Sequence, residues 1–212
     1  MLSITVMRIL ASINVTLVCF ASVFVSCTSK EEKKAEKPVV KTVLPAPFRF
    51  HKAVEVKPGL TFDVLSWGRG SELSGAFMIL RSDSAAIKYR SVTEELEGRI
   101  SDAWNMDMDT DGNPEIFIEA KSDDKENPLR MYVYEFDDNG NGREIRFPDL
   151  TSSTKKNYRG KDSIYVKEGV LYRQFPLFEE SDTAGLKPTG KKILEYSLRG
   201  STFSVNTVEP KK

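Results

Sequence analysis

Histidine and cysteine are almost missing from this sequence: His51 is the single imidazole, and Cys19 and Cys27 are the only thiols in 212 residues. One imidazole cannot build a multi-histidine metal centre. No serine or cysteine has a base near it in sequence, so the activated nucleophile of covalent catalysis is lacking too. Carboxylates are spread through every turn, and no pair is set apart for glycoside hydrolysis. An enzyme is therefore not expected. Both cysteines lie at the N-terminal end, so no disulfide framework is available to the rest of the chain, which must be held by a packed core. An excess of positive charge is lacking as well. Setting aside Arg8, Lys30, Lys33, Lys34, Lys37 and Lys41 together with Glu31, Glu32 and Glu36 leaves 25 cations against 28 acids, a balance of −3. Nucleic-acid binding is not suggested by that balance.

The chain opens on its one long apolar run. Arg8 is the only charge between Met1 and Ser26, and "ILASINVTLVCFASVFV" ends at "SC". A weakly basic start, a hydrophobic middle and a small residue before the break are the marks of a secretory signal peptide over residues 1–26. A membrane-spanning helix is the alternative for a run of this length. "FVSC" resembles the lipobox of bacterial lipoproteins, with Phe24 where leucine is usual. That resemblance implies that Cys27 becomes the lipidated first residue and holds the chain at a membrane; stable anchoring takes more than one acyl chain. Residues 27–45, rich in charge and proline, read as a flexible linker. Lys30, Glu31 and Glu32 beside the cysteine resemble the export signal of some outer-membrane lipoproteins, which places the protein in the cell envelope on the periplasmic or surface face.

From residue 46 to 212 the pattern is that of short strands. "LTFDVLSWG", "GAFMILRS", "EIFIEAKS", "RMYVYEFD", "VLYRQFPLF" and "KILEYSLRG" are rich in β-branched and aromatic residues, and several alternate apolar with polar. "WGRGSELSG", "DTDGNP", "DDNGNG" and "KEGV" supply turn chemistry between them. The fold expected is all-β, an antiparallel sandwich or barrel of about eight to ten short strands. "SVTEELEG" reads as one helical turn, and no fixed internal repeat points to a propeller or solenoid. Trp67, Trp104, Phe175, Leu177 and Phe178 are expected in the core.

Two constellations carry chemistry. In "DMDTDGNPE", Asp107, Asp109, Asp111 and Glu115 alternate around Gly112. Alternate carboxylates with a glycine at the turn can converge on one Ca²⁺ ion, as at the start of an EF-hand loop. Ile118 stands where an EF-hand needs its twelfth-position glutamate, and strands flank the motif where helices are required. It is closer to the Asp-x-Asp-x-Asp-Gly hairpins of calcium-stabilised β repeats; the alternative is a polar hairpin whose aspartates bond nearby amides. The second is "STKKNYRGKD", where Lys155, Lys156, Arg159 and Lys161 surround Tyr158 and Gly160. Such a cluster is either a solvated basic turn or a surface for an acidic partner.

"ISDAWNMDMDTDGNPEIFIEA", "NYRGKDSIYVKEGVLYRQFPLF" and "PTGKKILEYSL", in that order, resemble the periplasmic inhibitors of invertebrate-type lysozyme. The resemblance runs from about Phe62 to Val208 and implies an antiparallel β fold that can pair as a homodimer and inserts a loop into the lysozyme cleft; no cofactor is required. On it, Tyr158 and Arg159 enter the cleft, Lys155, Lys156 and Lys161 steer the encounter, and Gly160 makes the turn. The family's Ser-Gly-x-Tyr pattern is broken here, since Lys155 and Lys156 replace the serine and glycine. Two rival expectations stand beside the inhibitor: a calcium-stabilised adhesion or carbohydrate-binding module, and a structural envelope lipoprotein with no enzyme target.

Overall fold

The computed structural model describes residues 43–122 and 129–208. The apolar N-terminal run, Cys27 and most of the 27–45 linker lie outside the described residues. No helix among the described residues is long and apolar enough to cross a membrane.

The fold is all-β and antiparallel. Twelve strands form three four-stranded sheets, each a meander of consecutive strands. The first sheet holds β1 (Phe48–Lys57), β2 (Leu60–Trp67), β3 (Ser74–Asp83) and β4 (Lys88–Glu97). The second holds β5 (Arg99–Met106), β6 (Glu115–Lys121), β7 (Leu129–Phe136) and β8 (Gly142–Glu144). After a single helical turn, α1 (Ser152–Lys156), the third holds β9 (Ser163–Lys167), β10 (Val170–Phe178), β11 (Pro188–Arg199) and β12 (Thr202–Val208). The stretch "SVTEELEG" is not a helical turn: it runs into β4, paired residue for residue with β3. The architecture thus repeats three times although the sequence shows no repeat.

Alternation along each strand decides which face is covered. In β2, Leu60, Phe62, Val64 and Ser66 are buried while their neighbours are half-exposed, the period-2 pattern of a strand with one covered face. Strand β6 breaks that pattern, because all of its residues from Glu115 to Ala120 are buried. Ile116, Ile118 and Ala120 join Phe62, Phe77 and Ile79 of the first sheet in one core. Phe117, on the opposite face, joins Leu171, Phe175 and Tyr196 of the third sheet in another. The second sheet is therefore the central layer of a three-layer stack, sheltered on both sides.

Aromatic contacts bind the layers. Phe62 meets Phe136 at 4.8 Å on one side of the central sheet. On the other, Phe117 stacks on Trp104 at 5.7 Å and meets Phe203 edge-on at 6.5 Å. Full burial of a phenylalanine contributes about 1.5–3 kcal/mol before packing effects. Trp104, Phe175, Leu177 and Phe178 sit in or against the core as expected. Trp67 does not: it is half-exposed at the end of β2, outside both cores.

The step from first to central sheet takes one residue. Gly98 joins β4 to β5 at φ +87°, and a Cβ there would lie 2.6 Å from the Lys121 carbonyl oxygen. Only glycine tolerates both that dihedral and that approach.

Candidate functional site

The basic segment is an ordered connection between the central and third sheets. Thr151 caps α1 by accepting the Thr154 N–H on its side chain, as N-cap threonines do. Asn157 then ties the turn to the end of β10: its Nδ2 donates to the Phe178 carbonyl at 2.7 Å, and its own carbonyl accepts the Phe178 N–H at 3.0 Å. Tyr158 makes a bridge with Leu177 directly after.

Tyr158 is consequently not a projecting tip. It is 8% exposed, lies in the core shared by the central and third sheets, and meets Phe175 edge-on at 5.1 Å. Its hydroxyl donates to Asp162 and accepts from Arg173 Nη2 at 3.2 Å. Arg173 Nε in turn donates to Asp162 Oδ1 at 2.6 Å. Both charges are inside, with side chains 5% and 1% exposed. Burial, reinforced by the Asp162 carboxylate, pushes the Tyr158 phenol well above its usual range. Burial alone would disfavour the charge on Arg173; Asp162, with Tyr158 and Tyr196 after it, holds the guanidinium charged against it.

Arg159 is likewise engaged with its own chain. Its guanidinium donates to the carbonyls of Lys156, Tyr158, Glu180 and Asp182 at 2.7 to 3.3 Å. Lys161 Nζ donates to the Gly185 carbonyl at 3.0 Å and lies over the Phe178 ring. Gly160 is buried at φ +72°, the turn expected of it. Lys155 and Lys156 remain exposed at the end of α1. Of the six residues expected to meet a partner, Lys155, Lys156 and Lys161 are exposed, the last with its ammonium tied to Gly185, while Tyr158 and Gly160 are buried and half-exposed Arg159 braces the turn. The reason lies outside the turn: two hydrogen bonds tie Asn157 to Phe178 of β10, and Arg173 and Phe175 of the same strand receive the Tyr158 side chain.

Beside the turn lies an open groove of about 540 Å³. The first half of β7 forms one wall and the segment 146–150 the other, with Lys155, Tyr158 and Arg173 at its end. Exposed Arg130, Arg146 and Lys155 stand at its margin with Glu144 and Asp149. No short motif announces this groove. The role of Arg173 did leave a trace, because period 2 along "VLYRQF" puts it on the same face as Leu171 and Phe175.

The acidic hairpin joins β5 to β6, with strands at both ends as the sequence indicates. Asp107, Asp109, Asp111 and Glu115 each bring a carboxylate oxygen to within 4.8 Å of the others. Thr110 and Gly112 take positive φ, 60° and 88°, which curls the loop inward on itself. Glu115, at the start of β6, is fully buried. Its Oε2 accepts the Met108 N–H at 2.7 Å, and its Oε1 has no partner. Burial first, and the charges of Asp109, Asp107 and Glu135 after it, raise the Glu115 carboxyl to about 7.

No protein-family model matches the chain, and no curated protein matches it.

Proposed function

We propose that this chain is an envelope lipoprotein, anchored through Cys27, that binds a lysozyme-type hydrolase and blocks its cleft with the turn at 153–161. The observation that carries the reading is a braced turn with Lys155 and Lys156 outside. Four carbonyls accept from Arg159, and the buried set of Tyr158, Asp162 and Arg173 lies directly beneath. Lys155 and Lys156 are exposed above it. A turn already fixed in one shape loses little freedom on docking, which favours affinity. A lysozyme cleft carries two carboxyl groups at its centre, and lysines presented to it are complementary in charge and hasten the encounter. The roles differ from those the resemblance implies: Lys155 and Lys156 make the contact, and Tyr158 and Arg159 hold the shape.

Charge reversal tests this directly. Lys155→Glu together with Lys156→Glu is expected to weaken inhibition of an invertebrate-type lysozyme at least tenfold, on the order of 1.4 kcal/mol or more, with thermal unfolding unchanged. Full activity of invertebrate, chicken and goose lysozymes in the presence of the wild-type chain would reject the reading outright.

A second reading has an observation of its own. Tyr165 and Tyr172 stack at 5.4 Å, 18° from parallel, on the open face of the third sheet, and the Tyr172 hydroxyl donates to Glu195. Flat aromatic rings beside a carboxylate suit a glycan-binding module. On this reading Tyr165→Ala abolishes retention of the chain on insoluble peptidoglycan, and lysozyme inhibition stays as it was.

A further inference from the structure

The Asp107–Glu115 hairpin is only partly satisfied by its own chain. A second aspartate turn in the same sheet gives the contrast: Asp137 accepts the Asn141 N–H at 2.8 Å and its side-chain amide at 3.0 Å. Those bonds hold its carboxyl below the usual range, as expected of a turn that neutralises its own acid. In the Asp107 hairpin only Asp111 accepts a matching pair of bonds, from the Asn113 N–H at 2.8 Å and its side-chain amide at 3.0 Å; Gly112 N–H reaches Asp107 at 3.2 Å and Asp111 N–H reaches Asp109 at 3.4 Å. Four carboxylates crowd one space, and one of them, Glu115, is wholly enclosed with an oxygen left bare. An unmatched buried oxygen destabilises the fold, the more so when it bears charge. Arg143, whose charge reaches Asp111, is committed to Glu135.

We propose that this hairpin is a calcium site, with Asp107, Asp109, Asp111 and Glu115 as ligands and the bare Glu115 oxygen completing the shell from inside the sheet. The donor set is all oxygen, which selects a hard cation over zinc or copper. Four carboxylates on one pliable loop suit the larger ion, because magnesium demands a tight octahedron and keeps much of its water. The ion would fasten β5 to β6 at the mouth of the central sheet, so its effect is on stability, independent of the partner bound by the basic turn.

The experiment uses the full chain in detergent, stripped with chelator and then titrated with calcium chloride or magnesium chloride. Millimolar calcium is expected to raise the unfolding temperature by about 5 °C or more, as tight one-site binding to the native state requires. Magnesium at the same concentration gives no comparable rise. Asp109→Asn, at a half-exposed position, and Glu115→Gln each remove most of the calcium effect, whereas Asp137→Asn retains it. Calorimetry on the wild type gives one calcium per chain. Should Glu115→Gln fail to fold, Asp109→Asn alone decides. The proposal is overturned by the lack of a calcium shift, by an equal shift with magnesium, or by an undiminished shift in Asp109→Asn.

Discussion

Arg173→Met is expected to cost about 3–5 kcal/mol of folding stability, among the largest effects of any single change outside the apolar core. The substitution preserves the stem and removes a guanidinium that is the buried partner of Asp162. What remains is a carboxylate whose side chain is 1% exposed, with the Tyr158 hydroxyl still donating to it. A lone charge in that setting must be neutralised or rehydrated, and either route opens the core around Phe175. Asp162→Asn should cost about as much by the converse argument. Arg173→Met combined with Asp162→Leu should recover most of the loss, because an apolar pair of similar volume is often no worse than a buried ion pair. Urea denaturation of the three variants measures this. A loss near zero in Arg173→Met would mean that water reaches the pair. The basic turn should lose its geometry with the pair, so the single variants would lose partner binding while the double variant need not regain it.

Phe117→Ala should remove about 3–5 kcal/mol, the cost of a large cavity in a well-packed interior. Phe117 is fully buried and touches Trp104 and Phe203, from its own sheet and the third. The next residue, Ile118, is equally buried and points the other way, into the core shared with the first sheet. Ile118→Ala should cost about 2–5 kcal/mol. Because one strand supplies both cores, the two variants should each lower a single transition, in which tryptophan fluorescence and far-ultraviolet circular dichroism coincide. Separate midpoints for the two probes would show that the outer layers melt independently.

The fold class was legible in the sequence because β2 and β10 alternate so regularly, and because Gly and Asp turns fall between the strands. Their number was harder to read. Strand β1 carries His51, Lys52, Glu55 and Lys57 on an edge, where charge replaces the apolar signal. Strand β4, with Glu94, Glu95 and Glu97, shows a helix former's composition and is held in place by ten pairings with β3. Propensity there yields to tertiary context. The third layer was invisible for a different reason: one-face alternation can be read locally, but the covering of Phe117 depends on Leu171, Phe175 and Tyr196, more than fifty residues later. The acidic hairpin could be read residue by residue, since its four carboxylates lie within nine positions of one another. Tyr158 could not. Its direction is set by Phe178, Arg173 and Phe175, all beyond the loop that contains it.

Each sheet is made of neighbouring strands, and this has a consequence for biogenesis. As the chain is synthesised from its N-terminus, β1 to β4 can zip together before anything later exists, through loop closures of a few residues that are fast and entropically mild. The middle quarter cannot finish in that way: until the C-terminal strands emerge, Phe117 and Val133 face water on a two-sided sheet with one side bare. That interval is when the nascent chain is most open to sticking to its neighbours, and when a holding chaperone would have most to grip.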